Sequence, residues 1–376
     1  VPEMIRKWIF ATWLAAMLLI SLPATAQIEI TDQAGRAVRL AQPAQRIFFS
    51  EPGDFTIMAM LEDNPAKRIV AWNRWRLDKH TLEHWRSIDP VAFDTINQMV
   101  IDGPQNLSAE MLIANQPDLV VLDRYFGNAK QTISRLEQAG IAVAILDLEA
   151  DLRQDNATEG LEKMAILIGR QERGQQVADF INQHVDRITQ GVAKLKQQQS
   201  KLPTVLMEPH AGSGPCCTSV GSGVLMGDLI VMAGGQLLGS EIVQGLSSQL
   251  SAEYVIASDP EVYIGTGGRH IEARGGLLLG PGVEPAASRA SLQRVTQRVG
   301  IAQTRAARNQ RTYGIWHSGY PVVNLELIAT WLHPELFGDV DPAATLDQIN
   351  KRFMAKPLTG TFWITPDTTQ KHTDAP

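Results

Sequence analysis

The sequence predicts an α/β protein of two similar lobes, each a central parallel sheet flanked by helices, joined by one long rigid helix. Three observations predict it. At 376 residues the chain exceeds what most single hydrophobic cores hold. Short continuous apolar runs alternate with amphipathic helical patterns, as in parallel sheets covered on both faces. Finally, "LSAEMLIANQPDLVVLD" from Leu107 returns as "LSAEYVIASDPEVYIGT" from Leu250, without a gap, at an offset of 143 residues. A second pair, "GDFTIMA" from Gly53 and "GDLIVMA" from Gly227, follows a strand and a Glu-Pro (Glu51-Pro52, Glu208-Pro209) in each half. Two matches in the same order point to a duplicated lobe.

Residues 1–26 read as a secretory signal peptide. Arg6 and Lys7 precede an apolar run from Trp8 to Leu22, and Ala24-Thr25-Ala26 offers small residues for cleavage before Gln27. The run is short of the ~20 residues a membrane span needs. Export into a bacterial periplasm is therefore expected. The first lobe, 27–157, opens on a β-hairpin at Ile28–Leu40 and continues through the strands "RIFF", "RIVAW", "LVVL" and "AVAIL". Residues 158–200 keep a helical period with no proline, giving one connecting helix, or two joined near Gly169 to Gly174. The second lobe, 201–345, resumes the alternation with "TVLME", "MGDLIVMAGG" and "TYGIW"; a C-terminal helix and tail fill 346–376.

A net charge of −6 and a pI near 5.8 argue against a nucleic-acid partner. The phosphate-loop, H-E-x-x-H and G-x-S-x-G patterns are all missing, so no enzyme activity and no cofactor are expected. His80 and His84 stand four apart but lack a third ligand nearby in sequence, and they read as an exposed helix face.

Ligands of open parallel sheets bind beyond the carboxyl ends of the strands, and those loops are rich in aromatic and basic residues here. Trp72, Arg74, Trp75 and Arg76 follow one strand, and Tyr125 another. In the second half, His210 opens the loop with the vicinal Cys216 and Cys217; Arg269, His270 and Arg274 follow the next strand, and Trp316, His317 and Tyr320 the last. Guanidinium groups suit oxyanions and flat rings supply apolar contact, so the expected ligand is partly apolar, anionic and larger than an amino acid. The vicinal cysteines either close a ring that meets the ligand or serve as structural or free thiols.

The paired "SAE…P" units, the linking helix, "CC…MGDLIVMAGG" and the ending "LELIATWLHPELFGDVDP" resemble the periplasmic substrate-binding proteins of ABC importers, in the group serving iron–siderophores, haem and cobalamin. The resemblance covers nearly all of the chain beyond the signal. It implies a monomer that captures a metal chelate, a ferric siderophore first, between its lobes. It also implies that Glu110 and Glu253 dock the two halves of a membrane permease dimer. Beside that role, each "LSAE" fits a serine cap with an acidic residue at a helix N-terminus.

Overall fold

The computed structural model describes residues 27–75, 77–149, 156–221, 225–243 and 245–366. The opening segment forms the expected hairpin, β1 (Ile28–Thr31) against β2 (Ala37–Leu40). Buried Asp32 closes its turn by accepting from the N–H groups of Ala34 and Arg36, and from that of Ile145 in the first sheet.

That sheet comprises β3 (Ile47–Phe49), β4 (Ile69–Asn73), β5 (Asn97–Met99), β6 (Leu119–Leu122) and β7 (Ala142–Ile145) in the order β5-β4-β3-β6-β7, with all neighbours parallel. Helices α1 (Asp54–Leu61), α2 (Lys79–Arg86), α3 (Ala109–Ile113) and α4 (Lys130–Gln138) accompany it, with a single helical turn at Pro90–Phe93. Every residue of β3 and β6 is buried, which is why both read as unbroken apolar runs.

Residues 158–200 resolve into two helices, α5 (Glu159–Leu167) and α6 (Gln171–Gln197). Gly169 takes a left-handed conformation (φ 71°) and stops α5. Only α6 bridges the lobes, so the connecting helix is shorter than the sequence segment. Its 27 residues span about 40 Å. Near its start Arg173 Nε donates to the Met60 carbonyl at 2.9 Å. Further along, His184 Nδ1 meets buried Glu326 of the second lobe at 2.6 Å.

The second sheet is built from β8 (Thr204–Glu208), β10 (Gln236–Leu237), β12 (Val262–Gly267), β14 (Thr312–Trp316) and β16 (Trp363–Ile364), in the order β10-β8-β12-β14-β16. The two-stranded pairs β9 (Thr218–Val220) with β11 (Ser247–Gln249), and β13 (Gly280–Pro281) with β15 (Gly360–Thr361), lie outside it. Helices α7 (Leu225–Met232), α8 (Ala252–Ser258), α9 (Pro285–Thr296), α10 (Pro321–Leu332) and α11 (Pro342–Phe353) accompany it, with single helical turns at Arg305–Arg308 and Pro334–Phe337. The C-terminal segment is more than helix and tail, because β16 adds an antiparallel edge to β14.

The duplication is visible in the topology. Strands β4-β3-β6-β7 and β10-β8-β12-β14 share one order, with α1 and α7 after the first strand of each lobe and α3 and α8 before β6 and β12. The lobes differ at their edges, where one adds β5 and the other β16. A single hydrophobic cluster runs through both lobes and α6.

Candidate ligand site at the strand ends

Each sheet reverses its winding direction at one point, between β3 and β6 in the first and between β8 and β12 in the second. The crevice beyond the carboxyl ends at such a point is where open α/β sheets bind ligands. Ile57 and Met60 of α1, which starts just after β3, and Tyr320 to Val322, just after β14, line one small apolar cavity between the lobes.

At the first crevice Ser50 Oγ donates to Asp123 Oδ2 at 3.1 Å, joining the ends of β3 and β6. Buried Asn73 ties β4 in, donating to the carbonyls of Ser50 and Ile101. Around them gather Glu51, Asp54, Asp123, Asp147 and Glu149, carboxylates that the sequence reading passed over. Burial pushes Glu51 up to about 8, helped by the charges of Glu149 and Asp123. Burial likewise raises Glu149 to about 7, helped by Asp147, and drives Asp54 upward. Asp54 is 1% exposed and its Oδ2 has no hydrogen-bond partner. Arg124 pairs with Asp147 at 2.6 Å. At neutral pH these conditions keep Glu51 largely protonated, so it presents a donor rather than a charge.

The matching Glu-Pro of the second lobe has the opposite environment. Glu208, 2% exposed, accepts from Arg298 (Nη1 at 3.1 Å) and from the Tyr263 hydroxyl. Its charge is thereby compensated inside the lobe.

At the second crevice three histidines converge from three adjacent strands. The His210 N–H, after β8, donates to Thr266 Oγ1 of β12 at 2.9 Å. His270 sits on the turn after β12 and His317 directly after β14, its N–H donating to the Gly267 carbonyl. Ring centroids lie 4.9 Å apart for His210–His270, 4.5 Å for His210–His317 and 5.9 Å for His270–His317. His270 Nε2 is 2.9 Å from His210 Nδ1. His210 holds a left-handed conformation (φ 49°), uncommon for a residue with a side chain and a form of strain that gathers at functional sites. The sequence reading selected each histidine but not their convergence.

Several other predicted contacts move inward. Trp72 is fully buried against Phe55 and Phe93, with ring centroids 4.9 Å and 6.3 Å away, and so belongs to the core. Trp316 is buried against Phe362. Tyr320 lines the interlobe cavity, its hydroxyl without a hydrogen-bond partner and its phenol raised by burial. Trp72 and Trp316 are taken up by the core rather than left open at the strand end. Arg74 and Trp75 are half-buried, Tyr125 and Arg274 exposed, and Arg76 lies outside the described residues. Arg269 donates to the Gly282 carbonyl at 2.7 Å.

Cys216 and Cys217 form a vicinal disulfide. Cys217 is buried and exchanges backbone hydrogen bonds with Leu250, while Cys216 Sγ packs beside Gly300 and Ala252. The pair therefore braces the start of α8. His80 and His84 lie on α2, where His80 is exposed and burial lowers His84 to about 4, with Lys356 adding to the effect. Among the described residues no group of three or more His, Cys, Asp or Glu is arranged to hold a metal ion by itself.

Both repeated helices start alike. Ser108 Oγ accepts from the Met111 N–H at 3.3 Å, and Ser251 Oγ from the Tyr254 N–H at 3.1 Å. Glu110 and Glu253 are exposed in the first turns. Glu110 pairs with Arg135 at 2.7 Å, and its own N–H, Ser108 and Arg135 hold its carboxyl below the ordinary range.

Residues 59–318 match the periplasmic binding protein family. Among solved structures, the chain is similar to a TroA-like periplasmic binding protein, FepB from Veillonella parvula, at 24% identity and a TM-score of 0.81, covering 90% of this chain and 100% of that one. It is also similar to MolA of Haemophilus influenzae, solved with molybdate (17% identity, TM-score 0.65, 88% and 99% covered). A third is CeuE of Helicobacter pylori, solved with nickel and histidine (18%, TM-score 0.59, 87% and 95%). No curated protein matches the chain.

Proposed function

The chain belongs to the periplasmic binding protein family, and from that premise we propose that it captures a metal chelate, ferric siderophores first among them, and delivers it to an ABC importer. Its place is the periplasm, and its fold is the two-lobed α/β fold of solute-binding proteins. The observation that carries the ligand class is the gathering of His210, His270 and His317 at the second-lobe crevice. Neutral imidazole is a ligand for many transition metals. The raised first-lobe carboxyls fit the same reading: a protonated Glu51 donates a hydrogen bond to a chelate oxygen where an ionised one would repel it. The lobes, 27–157 and 201–345, enclose the solute without chemistry on it.

Glu110 and Glu253 supply the delivery step. They stand at equivalent places in the two lobes, exposed, one per half, and a pair of carboxylates suits a two-fold permease carrying cations. In cells deleted for this gene, uptake of a radiolabelled ferric chelate should fall and return with the wild-type chain. Glu110→Arg with Glu253→Arg should fail to restore uptake while binding the chelate normally. Unimpaired uptake by the double variant contradicts the docking role.

A further inference from the structure

We propose that α2 of the first lobe and the β13–β15 pair of the second form a clasp across the rim of the cleft, fastened by Lys356 and Ser87, whose parting opens the strand-end loops to a solute. The inference rests on the two-lobed fold and not on which solute is carried. Position comes first. Helix α2 follows the strand-end loop of β4, which carries Arg74 and Trp75, and β13 follows the strand-end turn of β12, which carries Arg269 and Arg274. Both therefore lie on the carboxyl side of their sheets, where the crevices are. There they meet. Lys356 Nζ, between α11 and β15, donates to Ser87 Oγ at the end of α2 at 2.5 Å. His84 of α2 lies beside the same Lys356. Toward the start of the helix, a Cβ on Gly282 would stand 3.7 Å from His80 Nδ1, so the backbone leaving β13 passes next to that ring. Ser87 and Lys356 are 269 residues apart, so the chain itself does not bring them together.

The second-lobe half of the clasp is tied to the crevice. The Gly282 N–H donates to the Thr359 carbonyl at 3.0 Å and Thr361 Oγ1 to the Val283 carbonyl at 2.8 Å, which joins β13 and β15 into one unit. Arg269 Nη2 holds the Gly282 carbonyl at 2.7 Å. Arg269 is thus a positioning residue, because it links the turn after β12 to the surface on which α2 rests. The contacts are few and polar, and a hydrogen bond of this kind is worth about 1 kcal/mol. The clasp can part without unfolding either lobe.

His84 adds an acid sensitivity. Burial, helped by Lys356, lowers it to about 4, so the ring is neutral in the clasp at neutral pH. The carboxylates of α2 and of the turn packed on it are engaged elsewhere: Glu83 with Lys79 at 3.4 Å, Asp94 with Arg86 at 2.5 Å, Asp89 with Asn64 at 2.7 Å, and Asp78 at the helix cap. A proton on His84 therefore faces the Lys356 cation without an offsetting charge. A histidine lowered in the folded state favours the contact fully above its ordinary value of 6.5, and that support is lost as pH falls through about 4.

The test is hydrogen exchange of the full chain without solute, read by mass spectrometry. Lys356→Ala should speed exchange about fivefold in α2, in residues 354–361 and in the turn 269–274 together, with an unchanged melting curve. Arg39→Ala, which removes an exposed ion pair with Glu29 on the hairpin, should leave all three segments at wild-type rates. Ser87→Cys with Lys356→Cys, joined by a short bismaleimide, should slow the turn 269–274 below the wild-type rate. Between pH 6 and 4 the wild type should exchange progressively faster in α2 and 354–361 than His84→Gln measured at the same pH. Acceleration confined to 354–361 in Lys356→Ala, or a turn 269–274 indifferent to both the cut and the cross-linked clasp, overturns the proposal. No solute takes part, so the result is separate from the metal-chelate reading and neither outcome alters it.

Discussion

Glu51 and Glu208 hold the same place in the duplicated sequence and meet opposite surroundings. Glu208 is neutralised by Arg298 and Tyr263. Arg298→Met leaves a buried, uncompensated carboxylate and should cost about 3 kcal/mol in urea unfolding. Glu51 has no such partner among the described residues and is raised from its ordinary value of 4.5 to about 8. An acid whose folded pKa exceeds its unfolded one binds more protons folded than unfolded, so its contribution to stability falls as pH rises. That contribution is complete below about pH 4.5 and lost through about pH 8. Urea midpoints measured from pH 5 to 8 should decline, and Glu51→Gln should flatten the decline; an unchanged slope would contradict the environment described. None of this was legible in the sequence. Both glutamates read as the same Glu-Pro, and the arginine that separates them lies 90 residues further on.

The helix starts, by contrast, were legible, because capping is local. "LSAE" places a serine cap and a first-turn glutamate within four residues, and both copies form as read. The hairpin and the apolar strands follow from patterns of similarly short range. What failed to read was side-chain direction at strand ends. Trp72, Trp316 and Tyr320 sit beside strand termini, where a ring can turn toward solvent or under the neighbouring helix, and the one-dimensional pattern is the same for both. The break in the connecting segment lies where the second of the two sequence alternatives put it, at Gly169, whose left-handed backbone separates α5 from α6. Close approach between elements offers a test. A Cβ on Gly160, in the first turn of α5, would lie 1.9 Å from the Asp147 carbonyl oxygen at the end of β7. Gly160→Ala should cost about 2–3 kcal/mol by chemical denaturation, and should also weaken ligand binding, since it shifts the segment that holds Glu149.

At the scale of the whole molecule, duplication explains both the likeness of the lobes and their division of labour. The shared four-strand core gives two crevices, and each lobe has filled its own with different chemistry: raised carboxyls on one side and imidazoles on the other. The long helix α6 is tied to both lobes, to Met60 through Arg173 and to Glu326 through His184. The repeat that revealed the fold also marked Glu110 and Glu253, whereas the histidine cluster needed three strands to assemble, with His210 and His270 separated by 60 residues. On this reading the cleft carries a metal chelate. The reading is tested most directly by purifying the protein from its native host and recording the absorption spectrum, metal content and mass of whatever accompanies it. A small molecule and one metal ion per chain are predicted, with a charge-transfer band for a ferric siderophore; a Soret or corrin spectrum would reassign the chelate to haem or cobalamin. A metal-free solute at stoichiometric occupancy, or turnover of a substrate, would contradict the account.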